Sequence, residues 1–142
     1  MDQQNIVLQV GVKVLLKNKD GMFLLLRRNP KKYPEVGAKW DIVGGRINPG
    51  SPLMENLKRE IKEETGLELI TEPKLVAAQD ILSVEGRHVV RLTYVGEIEG
   101  EPKIDEEHLE AKWFTTEEIK ALDASVLDGY FKELVDEAII KF

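Results

Sequence analysis

The chain opens with alternating apolar and polar positions that predict a β-hairpin. Between Ile6 and Lys17, valine and leucine recur at every second position, which is typical of a strand with one buried face. The turn-forming residues at 18–21 follow, and Met22 to Arg28 returns as a second strand. Residues 29–39 contain two prolines and three lysines and are predicted to form a loop.

An amphipathic helix is predicted from Pro52 to Thr65. It follows a short predicted strand, Trp40 to Val43, that runs into a pair of glycines. The hydroxyl of Ser51 can cap free amides at the start of a helix whose first position is proline. Gly66 is suited to the left-handed conformation that ends helices.

The second half of the chain alternates predicted strands with helices. Strands are expected at Lys74–Ser83, Arg87–Glu97 and Ala111–Phe114. A capping box at Thr115–Glu118 starts a short helix, and Ser125–Lys141 carries an apolar stripe that extends to Ala138 and predicts a longer one. We expect a single α/β (α+β) domain, residues 1–142, with a mixed sheet and helices at its flanks.

Composition and charge limit the classes of function. The 142 residues carry a formal net charge of -6, which does not suit a protein that grips nucleic acid through its phosphates. There is no cysteine, so disulfides and thiolate sites are excluded. No secretory leader and no long apolar run are visible, so we expect a cytoplasmic protein with no nucleic-acid or membrane partner.

Three carboxylates lie close together on the predicted helix. With Glu60 at zero degrees, Leu57 and Ile61 define the buried face, while Glu63 and Glu64 fall near about -60 and about 40 degrees. Glu64 therefore points partly into the packed face, where an ionised carboxylate is costly without a partner. A hard divalent ion, Mg²⁺ or Mn²⁺, would remove that cost. The alternative from spacing alone is a solvated polar helix face.

The residues around these glutamates match a known motif. From Gly45 the sequence has five residues, Ser51, seven residues, and then Arg-Glu-Ile-Lys-Glu-Glu-Thr-Gly-Leu, which ends at Leu67. This resembles the Nudix box, in which a glutamate stands where this chain has Ser51; eight of the nine specified positions match. The resemblance implies the Nudix α/β/α sandwich, with a mixed β-sheet between helices, and covers nearly the whole chain.

The resemblance also implies a metal-dependent hydrolase. Family enzymes cleave a phosphoanhydride bond in a nucleoside diphosphate linked to a further group. By position, the implied ligands of Mg²⁺ (or Mn²⁺) are the carbonyl oxygen of Gly44 and the carboxylates listed last: Glu60, Glu63, Glu64 and, from outside the box, Glu107. Either Glu60 or Glu107 is expected to act as general base. Family members often dimerise, so a monomer and a homodimer both stay open.

Several residues outside the glutamates are expected to support the reaction. Arg59 is expected to orient the glutamates by pairing with them. Glu55 lies four residues before Arg59 and could supply the pairing that Ser51 cannot. The departure at Ser51 leaves one alternative function, a catalytically weak nucleotide-binding or regulatory module with the Nudix fold.

Substrate contacts are expected from the strand end and the loop that follow the hairpin. Arg28 and Lys39 are candidates for contacting phosphates, and Tyr33 for stacking on a base. His88 and Arg91 are expected to be surface residues of one strand. We expect a nucleoside triphosphate, oxidised or not, ahead of a nucleotide sugar, ADP-ribose or a dinucleoside polyphosphate.

Overall fold

The computed structural model describes residues 5–32, 34 and 37–142. The predicted hairpin is confirmed: β1 (Val7–Lys17) and β2 (Phe23–Arg28) are antiparallel, with Leu16 opposite Leu24. The side chain of Asn18 closes the turn, because its Oδ1 accepts the amides of Asp20 (3.0 Å) and Met22 (2.9 Å).

Five further strands complete a mixed seven-stranded sheet. They are β3 (Trp40–Asp41), β4 (Val43–Arg46), β5 (Lys74–Ile81), β6 (Arg87–Glu97) and β7 (His108–Phe114). The strand order is β3-β2-β1-β6-β5, with β4 paired to β1 and β7 paired to β2. Strands β1 and β6 are parallel along their whole length, while the other pairs are antiparallel. The central strand β1 is therefore flanked by partners on both edges.

Helices cover both faces of the sheet. On one face, α1 (Leu53–Thr65) packs Leu57 and Ile61 into an apolar cluster with β1, which contributes Val12, Val14 and Leu16. On the other face, α2 (Thr116–Ala121) and α3 (Gly129–Asp136) form a second cluster with Leu15. The α/β/α sandwich is confirmed. The prediction that β1 has one buried face is wrong, because side chains from both of its faces enter a core.

Two predicted elements, one strand and one helix, have different bounds in the structure. The single strand predicted at Trp40–Val43 is split, since β3 pairs with β2 while β4 pairs with β1. Of the helix predicted at Ser125–Lys141, only the part that forms α3, Gly129–Asp136, is helical. Asp128 caps its start by accepting the amide of Phe131 at 3.0 Å, and Ala138, with a positive φ of 56°, lies beyond its end and is exposed.

The remaining predicted boundaries agree more closely. The capping box at Thr115 is present, Gly66 ends α1 in the left-handed conformation, and Arg87–Glu97 is a strand as predicted. Strand β5 ends at Ile81 rather than Ser83, and β7 begins at His108 rather than Ala111. Among the described residues, no helix has the length and apolar character needed to cross a membrane.

Candidate metal and active site

The loop before α1 is held by Asn56 rather than by a serine cap. The predicted cap at Ser51 is wrong: Pro52 occupies the N-cap position, and the Ser51 hydroxyl lies 3.4 Å from Glu55 Oε2. Asn56 is almost fully buried; its Nδ2 donates to the carbonyls of Ser51 (3.0 Å) and Pro52 (2.7 Å), and its Oδ1 accepts the amide of Asn48 (2.9 Å). One amide side chain therefore ties the loop to the helix.

Asn56 is a supporting residue that the sequence reasoning missed. On the helix Asn56 lies at about -40 degrees relative to Glu60, about 100 degrees from Leu57 and between Glu60 and Glu63. An asparagine at such a half-polar position in the first turn, beside a Gly- and Pro-containing loop, was the available signal.

Two glycines on β4 bring the backbone close to the helix. Gly44 has a φ of 140°, and a Cβ there would lie 2.0 Å from the carbonyl oxygen of Val12. A Cβ on Gly45 would lie 2.7 Å from Glu60 Oε2. Both contacts are shorter than real side chains tolerate, so Gly44 is needed where β4 passes the β1 backbone and Gly45 where β4 meets the Glu60 carboxylate.

Glu64 is buried with incomplete charge compensation. Its side chain accepts the amide of Gly44 at 3.0 Å, and the residue is 4% exposed. Burial raises the pKa of Glu64 to about 8, and the carboxylates of Glu60 and Asp105 add to this rise; the Lys13 ammonium and the Gly44 amide oppose it. The predicted inward position of Glu64 is confirmed.

Arg59 connects the glutamates to the loop. Its Nη1 donates to Glu60 Oε1 (2.8 Å) and Glu63 Oε2 (3.3 Å), and its Nη2 donates to Asn56 Oδ1 (3.0 Å) and the carbonyl of Arg46 (3.2 Å). The expected pairing of Arg59 with the box glutamates is confirmed as a contact. The expected substitute pairing with Glu55 is wrong, because the arginine turns to these four acceptors instead.

The donor set suits a hard cation. Glu60 and Glu64 are both buried and meet at the Gly44–Gly45 backbone, and every candidate donor is an oxygen. Within residues 5–32, 34 and 37–142, no three acidic or histidine side chains are gathered closely enough to enclose an ion. Glu63 is exposed and pairs with Arg59, so its carboxylate lies at the edge of the site formed by Glu60 and Glu64. The residues fit Mg²⁺ or Mn²⁺ in charge and ligand type.

A carboxylate that was not predicted approaches from the segment before β7. Asp105 is close enough to raise the pKa of Glu64, and its Oδ1 lies 2.7 Å from His108 Nδ1. Glu107, the predicted outside ligand, is exposed; its amide donates to Asp105 Oδ1 (3.2 Å) and its carbonyl accepts the amide of Asn29 (2.9 Å). The sequence signal for Asp105 was weak, because three acidic residues are consecutive there.

An ionic cluster of five residues lies behind the glycine pair: Lys13, Arg28, Asp41, Arg91 and Asp128. Asp41 is 2% exposed and contacts Lys13 Nζ (3.2 Å), Arg91 Nη2 (3.1 Å) and Arg28 Nη2. Burial alone would raise the pKa of Asp41, but the three cations outweigh it and hold the pKa well below its ordinary value. Asp128, the α3 cap, pairs with both arginines.

The cluster changes the interpretation of two predicted residues. Arg91 is 4% exposed, so the expectation that it is a surface residue is wrong. Arg28, a predicted phosphate contact, is directed toward Asp41 and Asp128. Neither placement was visible in the sequence, because Arg91 depends on the pairing of β6 with β1 and Arg28 on the pairing of β2 with β3.

The remaining predicted residues lie elsewhere or beyond the description. Lys39 is half-buried, and its carbonyl accepts the amide of Arg28 at 2.9 Å. Tyr33 lies outside the described residues. His88 pairs with Asp80 on the neighbouring strand, at 2.7 Å between Nε2 and Oδ1.

A mixed sheet between helices, with two glutamates buried against a glycine pair, defines a small α/β domain suited to holding a cation. The model of the NUDIX domain matches residues 7–134, and the chain belongs to that family. The 8-oxo-dGDP phosphatase NUDT18 of Homo sapiens is 32% identical over 115 residues, covering 76% of this chain and 32% of that protein. The chain spans about a third of the length of the first curated relatives that it matches.

Solved structures show the same fold. The MutT protein from Methanosarcina mazei Go1 superposes with a TM-score of 0.79 at 28% identity, covering 93% of each chain. The MutT NUDIX hydrolase from Burkholderia pseudomallei gives a TM-score of 0.73 at 26% identity, covering 92% of this chain and 97% of the other. The fold is therefore MutT-like.

Proposed function

We propose that this domain hydrolyses a phosphoanhydride bond in a nucleoside diphosphate linked to a further group, with Mg²⁺ or Mn²⁺ as cofactor. The observation that carries the proposal is the burial of Glu64 beside Glu60 at the Gly44–Gly45 backbone. A buried carboxylate with this much uncompensated charge is costly to keep unless a cation joins it. Family membership supports the same activity.

The residues would divide the work as follows. The Gly44 carbonyl and the carboxylates of Glu60, Glu63, Glu64 and Glu107 would hold the ion. Arg59 would position Glu60 and Glu63 through its Nη1. When bound, a divalent ion offsets the charge of the pyrophosphate and makes a nearby water more acidic. The glutamates lie on α1, and Asn56 anchors this helix to the preceding loop. The glutamates are therefore preorganised before substrate binds.

A carboxylate of this chain would take the proton of the attacking water. The oxygen of that water forms the new bond to phosphorus while the anhydride P–O bond breaks, and the released phosphate or nucleotide carries the leaving oxygen. Glu60 and Glu107 are the residues expected from sequence. Asp105 joins them as a third candidate, because its charge acts on Glu64 and His108 fixes its orientation.

An oxidised guanine nucleoside di- or triphosphate is the substrate class we favour. NUDT18 is named as an 8-oxo-dGDP phosphatase, and its similarity covers 76% of this chain. Arg28, Lys39 and Tyr33 are the proposed substrate contacts. Nucleotide sugars, ADP-ribose and dinucleoside polyphosphates are the alternatives.

The test is a panel of these nucleotides, oxidised and unoxidised, assayed for release of phosphate and pyrophosphate with Mg²⁺ and with Mn²⁺. The Glu63→Gln, Glu64→Gln double variant should lose at least about a hundredfold in kcat/KM. Glu55→Gln is the matched control, since Glu55 is exposed on the same helix. Equal rates for the double variant and the control would refute the proposal.

A second candidate function follows from Ser51, which replaces a box glutamate. A nucleotide-binding or regulatory module would bind nucleotide in calorimetry without metal-stimulated turnover. The two functions are separated by running both measurements on the same panel.

We also propose that the protein acts in the cytoplasm on small molecules and does not bind nucleic acid. The net charge of -6 supports this, because phosphate backbones are repelled by such a protein. Light scattering coupled to size exclusion would distinguish the monomer from the homodimer.

A further inference from the structure

Lys13 places an ammonium group at the edge of the proposed metal site. Its Nζ lies 3.4 Å from the carbonyl oxygen of Gly44 and 3.2 Å from Asp41 Oδ2, and its side chain is 12% exposed. The register of β1 and β4 sets this contact, because Lys13 and Gly44 are directly opposite each other. The ammonium therefore donates to the same oxygen that we propose as a metal ligand.

Asp41 does not by itself explain why the Lys13 ammonium lies at this position. That carboxylate already contacts Arg91 Nη2 at 3.1 Å and Arg28 Nη2. Lys13 has a second acceptor, the carbonyl oxygen of Gly44, at 3.4 Å. Its charge also acts on Glu64 across the glycine pair.

We propose that Lys13 is a positioning residue whose resident positive charge weakens capture of a free divalent ion, so that the ion binds together with the substrate phosphates. The inference rests on the proposed function. An ammonium held beside the Gly44 oxygen partly neutralises the site and repels a second cation. The substrate phosphates then add negative charge, which raises the affinity of the site for the divalent ion.

The test measures Mn²⁺ binding by electron paramagnetic resonance, on the full chain and without nucleotide. Lys13→Met should bind Mn²⁺ about tenfold more tightly, as expected for removing a unit charge a few ångströms from a divalent ion in water. Lys13→Arg keeps the charge and should bind Mn²⁺ with nearly the original affinity. Lys17→Met is the matched control on the same strand, since Lys17 is half-exposed and pairs with Glu97 at 4.0 Å; it should leave the affinity unchanged.

A purely structural role for Lys13 would change the Mn²⁺ affinity of Lys13→Met in the opposite direction. If Lys13 only supported the loop, Lys13→Met would bind Mn²⁺ more weakly, and that result, or an unchanged affinity, overturns the inference. Lys13→Gln keeps a donor at this position without the charge and replaces the Met variant if that one does not fold. Should the unmodified protein and every variant fail to bind Mn²⁺, with and without nucleotide, the proposed function fails and the inference fails with it.

Adding nucleotide provides a second readout. With a non-hydrolysable nucleoside triphosphate analogue present, the difference in Mn²⁺ affinity between Lys13→Met and the unmodified protein should shrink to about twofold or threefold. A tenfold difference that persists with the analogue would show that substrate phosphates do not offset Lys13, which contradicts the proposed role.

Discussion

Replacing Glu64 by glutamine should stabilise the metal-free protein at alkaline pH. Burial raises the pKa of Glu64 from 4.5 to about 8 in the folded protein, so between these values the folded state holds a proton that the unfolded state has lost. Stability from this group is therefore fully present below about pH 4.5 and is lost as the pH rises toward about 8. Glutamine keeps an oxygen that can accept the Gly44 amide and has no charge to desolvate.

The magnitude follows from the same shift. A rise in pKa from 4.5 to about 8 corresponds to about 5 kcal/mol at full ionisation. Water entry and side-chain relaxation reduce the realised cost. We therefore expect the free energy of unfolding of Glu64→Gln, minus that of the unmodified protein, to be about 2–3 kcal/mol larger near pH 8.5 than at pH 5.

The assay is urea unfolding of both proteins in EDTA across this pH range. Glu63→Gln is the control, because Glu63 is exposed and its difference from the unmodified protein should stay flat. Saturating Mg²⁺ should raise the stability of the unmodified protein at pH 8.5 and leave Glu64→Gln nearly unchanged. Parallel stability curves for Glu64→Gln and the unmodified protein would refute the view of Glu64 as a desolvated, undercompensated carboxylate.

Three further substitutions test the supports of the site. Gly45→Ala places a methyl group within 2.7 Å of Glu60 Oε2, so Mn²⁺ affinity measured by calorimetry should fall at least about tenfold; an unchanged affinity would exclude Glu60 as a ligand. Asn56→Ala removes the bonds that tie the loop to α1 and should cost about 2–3 kcal/mol in urea unfolding, whereas a loss under about 0.5 kcal/mol would mean that the loop is held elsewhere. Asp41→Asn leaves three cations facing a neutral group and should cost about 3 kcal/mol near neutral pH. Because the pKa of Asp41 is lowered on folding, this cost should shrink as the pH falls below about 4, and a cost that does not change with pH would contradict the ionic role.

Local patterns predicted those parts of the fold that depend on neighbouring residues. The β1–β2 hairpin, the start of α2 at its capping box and the end of α1 at Gly66 agree with the structure, because alternation, side-chain capping and left-handed glycine act over a few residues. The inward position of Glu64 was also predictable, since it follows from the turn angle of one helix. Ser51 was a local prediction that failed: the buried amide of Asn56 binds the loop carbonyls instead.

By itself, the sequence determined the family motif, the helix that carries the glutamates and the oxygen character of the site. Only the tertiary structure decided which charges meet. Arg91 became a buried partner of Asp41 and Asp128, Lys13 came to lie at the Gly44 carbonyl, and Asp105 came close enough to act on Glu64. These contacts join residues from different strands, helices and loops, so they depend on strand order and register, which no short stretch of sequence encodes.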